Sequence, residues 1–136
     1  VSVAGIEAQR RVMELIASNV ANISTTRTLL GGPYRRKVAV LAEKPLSFSD
    51  ELSRAESRYA NSGGVEVLDV TDDRTPFSKV YKPEHPDADD QGYLSLPNVN
   101  LATEMTDMIY TSKLYEANIT AFNATKKMMQ DTLQLP

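Results

Sequence analysis

The sequence predicts an α+β fold: long N- and C-terminal helices forming an antiparallel coiled-coil-like pair, with a small antiparallel β module between them. Three observations carry this reading. Near both ends, apolar residues recur in alternating steps of three and four, the period of a helix packed on another helix. Between them lie short runs of β-branched and aromatic residues, cut by Pro, Gly and Asp. The chain has 136 residues, about the length of one domain, and Leu, Ile, Val and Phe make up just under a quarter of it. That is enough for a modest core and above the level typical of disordered chains.

The N-terminal helix is read over residues 3–28. Ile6, Met13, Ile16, Val20 and Ile23, with Gln9 as a polar member, form the seam 6-9-13-16-20-23. Glu7 precedes Arg11 by four residues, and Arg10 precedes Glu14 by four, so both pairs support a helix from its exposed side. Gly31-Gly32-Pro33 is the stop signal. In the middle, Lys37–Leu41, Val65–Val70, Ser78–Lys82 and Tyr93–Leu96 read as three or four strands of one small antiparallel sheet. Residues 44–64 read as a variable insertion, with one short helix over Ser49–Tyr59. The C-terminal helix begins near Leu101, capped by Asn98 or Asn100. Its seam is Leu101, Met105, Met108, Ser112, Tyr115, Ile119, Phe122, Lys126, Met129 and Leu133. A helix of about 35 residues would be roughly 50 Å long. Ala117, Ala121 and Ala124 form a small-residue stripe beside the seam. The expected organisation is one helical domain made by residues 1–30 and 98–136, and a β-rich module over 31–97. The longer helix would keep apolar length that its partner cannot cover, which calls for other chains.

Composition narrows the chemistry. There is no Cys, so disulfides, thiolate metal sites and Cys nucleophiles are excluded. One His, His85, excludes a multi-His site. A formal net charge of −3 disfavours nucleic-acid binding. No run approaches the roughly 18 apolar residues of a membrane span, and none has the order of a secretory signal.

Few motifs suggest a ligand. Asp87, Asp89 and Gly92 fit three positions of a calcium loop, but Asn98 stands where the bidentate Glu belongs, so a solvated turn is the better reading. His85 lacks a local nucleophile and orienting partner, so no catalytic residue is assigned. Arg35-Arg36-Lys37 is too short a cluster for a nucleic-acid site. The Gly-Gly pairs lack the Lys-Ser/Thr of a phosphate loop. Three Asn-x-Ser/Thr matches fall on predicted helices and read as chance. Asn19 and Asn22 share a helix face close to the seam. Such residues either fix register inside a helical assembly or lie exposed near a fraying end. Physics alone leaves both open.

A resemblance enters through these asparagines. Ile16-Ala-Ser-Asn19-Val-Ala-Asn22-Ile-Ser-Thr25-Thr26 resembles the signature of the flagellar basal-body rod family. Gly31 to Lys37, His85 to Asn100, Glu104 to Ile109 and Tyr115 to Asn123 extend it, so that roughly 3–43 and 64–135 are covered. The resemblance implies a structural subunit of the proximal rod, periplasmic and without cofactor, that transmits torque to the hook. Its partners would be copies of itself, other rod proteins, and the flagellar type III export apparatus that delivers it without a cleavable signal. The expected assembly interface comprises Ile6, Met13, Ile16, Asn19, Val20, Asn22 and Ile23 on one helix, and Met108, Tyr115, Ile119, Phe122, Met129 and Leu133 on the other. Tyr34, Arg35 and Arg36 are opposite in charge to the loop carrying Asp87 and Asp89, and would meet it between subunits. A soluble coiled-coil adaptor or secretion chaperone binding a partner helix is the alternative class.

Overall fold

The computed structural model describes residues 2–43 and 64–133. The order is α1 (Ser2–Ala21), β1 (Lys37–Glu43), β2 (Val65–Asp72), β3 (Ser78–Tyr81), β4 (Tyr93–Leu96) and α2 (Leu101–Leu133). The helix expected over Ser49–Tyr59 lies outside the described residues.

The two helices run antiparallel. Asn19 meets Glu104, Met13 meets Ser112, and Gly5 lies against Asn118. At Gly5 even a Cβ would stand 3.1 Å from the Asn118 amide, so the small residue sets how closely the helices approach. α2 starts where Asn100 caps it: its Oδ1 accepts the amides of Ala102 and Thr103 at 3.0 and 3.3 Å.

α1 is shorter than the seam predicts. It ends at Ala21 rather than near residue 28. Asn22 donates its side-chain amide to the Ser18 carbonyl at 2.9 Å and accepts the Thr25 hydroxyl at 3.1 Å. This side chain competes with the helix for its last carbonyls, and the β-branched residues that follow have little reason to resume it.

The strands form two separate two-stranded antiparallel sheets, β1–β2 and β3–β4, not one sheet. The break lies between β2 and β3. Asp73 Oδ1 accepts both the amide and the hydroxyl of Thr75, Pro76 has no amide to donate, and Asn98 holds the carbonyls of Asp73 and Thr75. The segment is thus spent on turn bonds and cannot continue a ladder. The β1–β2 sheet packs on α1 and carries a bulge: Val40 faces Asp69 but Leu41 faces Val67, leaving Leu68 extra. In β3–β4, Tyr81 and Tyr93 stack edge-to-face across the strands with centroids 5.4 Å apart. The loop before β4 closes on Gly92, whose φ of 79° suits glycine, and a Cβ there would stand 2.9 Å from the Tyr81 ring.

Among the described residues the buried apolar set is small: Ala8, Ile16, Tyr34 and Leu94. No described helix is long and apolar enough to cross a membrane.

Candidate assembly interface

The best-buried side chains among the described residues are polar. Asn19 is 1% exposed and Glu104 0%. They join α1, the start of β1 and the first turn of α2. Asn19 donates to the Lys37 carbonyl at 3.0 Å and to Glu104 Oε2 at 3.1 Å. Its Oδ1 accepts the Lys37 amide at 2.9 Å and the Tyr34 hydroxyl at 3.0 Å. All four hydrogen-bonding positions of the amide are used. Two of them treat Lys37 as a neighbouring strand would, so α1 holds the entry to β1 through one side chain.

Glu104 is neutralised by Arg36, whose Nε donates to Oε1 at 2.5 Å. The same guanidinium reaches Asp107 at 3.4 Å and Asp73 at 3.8 Å. The Arg36 amide donates to Asn98 Oδ1 at 2.8 Å. A buried carboxylate is costly unless paired and fully hydrogen-bonded, and here it is both. Asp73 is held below its ordinary value of 3.8 by the Thr75 hydroxyl and amide bonds first, with Arg36 and Arg35 adding to the effect and partial desolvation opposing it. The node therefore fixes three things together: helix register, strand entry and the turn after β2.

Of the asparagines, Asn19 is buried between α1, β1 and α2, and Asn22 is half-buried at the end of α1, bonded to Ser18 and Thr25 rather than exposed. Ile16 is buried; Ile6, Met13, Val20 and Ile23 are half-buried along the same helix. On α2, Met108, Tyr115 and Ile119 are half-buried, whereas Phe122, Met129 and Leu133 are exposed. The face that meets α1 centres on Glu104 and Thr111, about 60° around the helix from the start of the predicted seam. Glu104 and Thr111 escaped sequence reasoning because polar residues on a helix read as solvent-facing. Nothing local in the sequence couples position 104 to position 36.

The basic turn and the acidic loop are engaged inside the chain with other partners. Tyr34 is buried on Asn19, and Arg36 serves Glu104. Arg35 lies over the Phe77 ring at 4.3 Å and donates to the Asp73 carbonyl. Asp87 accepts the Thr26 hydroxyl at 2.8 Å and pairs with Arg27 at 3.8 Å. Asp89 accepts the amides of Gln91 and Tyr93, closing its own turn. His85 Nδ1 accepts the Asp87 amide. Among the described residues no group of three or more His, Asp or Glu could hold a metal ion.

The far end of α2 presents a line of apolar side chains among polar ones. Every residue from Thr120 to Leu133 is exposed, including Phe122, Met128, Met129 and Leu133. The pairing of 19 with 104, 13 with 112 and 5 with 118 brings the described start of α1 opposite about residue 122. Beyond that point α2 continues for about 16 Å at 1.5 Å per residue. Phe122, Met129 and Leu133 follow each other in steps of seven and four, in line with Glu104, Thr111 and Tyr115. Among the described residues none covers this continuation of the face.

Fold and site together define a class: an α+β subunit whose antiparallel terminal helices are joined by a buried polar node, with no catalytic or metal constellation among the described residues. Comparison with known proteins gives the family. Residues 90–135 match the family described as flagellar basal body rod FlgEFG protein C-terminal. Over its length the chain is similar to flagellar basal-body rod protein FlgC of Bacillus subtilis, 43% identical with 99% of this chain and 93% of the relative covered. It is also 40% identical to FlgC of Borreliella burgdorferi (96% and 90% covered) and 35% identical to FlgC of Escherichia coli O6:H1 (96% and 89%). The chain belongs to the flagellar basal-body rod protein FlgC family. It is a structural, non-enzymatic component of the flagellar basal-body rod, assembling with rod proteins.

Proposed function

We propose that this subunit builds the proximal rod as a helical tube, with α1 and α2 as its wall and torque carried through helix contacts. The observation that supports this is the uncovered stripe from Phe122 to Leu133, which prolongs the face already packing on α1. A neighbour's helix completes it, and since stripe and covering helix are different surfaces, the contact is heterologous and propagates. Residues 1–30 and 98–136 act as the rod domain. The module over 31–97, with its insertion over 44–64, stands beside the tube and meets neighbours. Ile6, Met13, Val20 and Ile23 on α1, with Met108, Tyr115 and Ile119 on α2, serve the same wall. Ile16, Asn19 and Asn22 act by fixing its geometry. The neighbours are copies of itself and other rod proteins. The chain reaches the periplasm through the flagellar type III export apparatus.

The test is purification of detergent-extracted basal bodies from the source bacterium, with their proteins quantified by mass spectrometry. This chain should enrich in fixed proportion to the other rod components. Recovery in a discrete soluble complex instead would overturn the proposal in favour of an adaptor or chaperone.

A further inference from the structure

The connection from α1 to β1 carries two leucines that no described residue covers. Leu29 and Leu30 are both fully exposed. Their loop is closely tied: the Tyr34 amide donates to the Thr25 carbonyl at 3.0 Å, Thr28 to Gly32 at 2.9 Å, and Gly31 to Thr28 at 3.0 Å. Gly31 and Gly32, with φ of 83° and 76°, make the reversal. A hydrogen-bonded loop that holds two adjacent large apolar side chains in water is built to place them against something.

A complementary feature lies elsewhere on the surface. α1 and β2 frame a cleft of 430 Å³ lined by Leu15, Val67, Leu68 and Val70, with Arg11, Glu14 and Asp69 also lining it. Leu68 is the extra residue of the bulge, and bulges commonly re-aim side chains where a strand serves a contact. Glu14 is paired with Arg10 and Arg11, so the charge the cleft leaves over is that of Asp69, the sign that suits a cation beside the leucines. Arg27, two residues before the leucines, is largely exposed, with Asp87 its ion-pair partner at 3.8 Å. Asp69 accepts the amide of Val70 and has no ion pair among the described residues.

We propose that the Leu29–Leu30 tip of one copy seats in the α1–β2 cleft of the next copy, with Arg27 facing Asp69. The proposal rests on the reading of the chain as a rod subunit and identifies a lateral contact outside the helix wall. Leu15 lies about 10 Å back along α1 from Asn22, where the loop begins. Tip and cleft are therefore separate patches, and their contact runs head to tail.

The absence of cysteine makes a clean test. Leu30→Cys and Leu68→Cys are introduced singly and together into the full chain, and isolated basal bodies are oxidised. The double variant should give a ladder of disulfide-linked copies of this chain, and each single variant none. Variants present in rods at the unsubstituted level but monomeric after oxidation would overturn the contact, as would self-linkage of Leu30→Cys alone. If the double variant does not enter rods, charge exchange decides: Arg27→Asp should reduce incorporation several-fold and Asp69→Arg in the same chain restore it. Lack of restoration overturns the proposal. Absence of the unsubstituted chain from basal bodies would instead overturn the rod-subunit reading beneath it.

Discussion

Glu104 carries more of the fold than its side-chain type suggests. Among the described residues it is the only buried charged side chain, and Asn19 and Arg36 both depend on its oxygens. Glu104→Gln keeps the shape but removes the charge that Arg36 faces. Breaking a buried pair in this way costs roughly 3–5 kcal/mol. Arg36 retains Asp107, Asp73 and some solvent, so the expected loss is about 3 kcal/mol, read from the urea midpoint of the purified chain. A loss within the noise of surface substitutions would refute the role assigned to the node. Asp73 makes a second, pH-dependent prediction. Its depressed carboxyl stabilises the fold fully above its ordinary value of 3.8, and this contribution disappears as pH falls from there through the folded value. Asp73→Asn keeps an acceptor for Thr75 but cannot titrate. Relative to this variant, the unsubstituted chain should keep its advantage in urea midpoint above 3.8 and lose it progressively as pH falls below that value; an unchanged difference would contradict the assignment.

At the scale of elements, the sequence was legible where a period or a stop signal acts locally. All four strands stand where β-branched runs predict them, and α2 starts one residue after Asn100. What failed depended on partners distant in sequence. The α1 seam extends through Ile23, so periodicity alone carried the helix onward, while Asn22 ended it through its bonds to Ser18 and Thr25. The single sheet divided because Asn98, 25 residues away, holds the Asp73 carbonyl in a turn. The node itself illustrates the limit best. Asn19 stood out as one of two candidates, yet the residues that settle its role, Tyr34, Lys37 and Glu104, lie 15 to 85 positions away. Within one copy, likewise, Arg36 is engaged with Glu104 and Asp87 with Arg27, pairings that charge alone does not indicate.

At the scale of the molecule, the folded chain is held by a polar node and a small apolar core, while its longest apolar stripe faces outward. Stability of the free chain and capacity to assemble should therefore separate by position. Ile16 is buried beneath the helix pair, and truncation there removes core contacts, so Ile16→Ala should cost the free chain about 2–5 kcal/mol. Phe122 is 43% exposed, on the part of α2 that α1 does not cover. Phe122→Ala should shift the free chain's urea midpoint by no more than a surface substitution, about 0.5 kcal/mol. In the rod the same side chain becomes a buried contact repeated in every copy, and the loss then approaches the cost of a core truncation, about 3–5 kcal/mol per site. The expected outcome is a stable, folded variant that fails to enter basal bodies, with motility lost in a strain that carries it alone. Normal rods built from Phe122→Ala, and from Met129→Ala beside it, would show that the stripe has another purpose. Loss of fold in the free chain would show that it is already covered within a single copy.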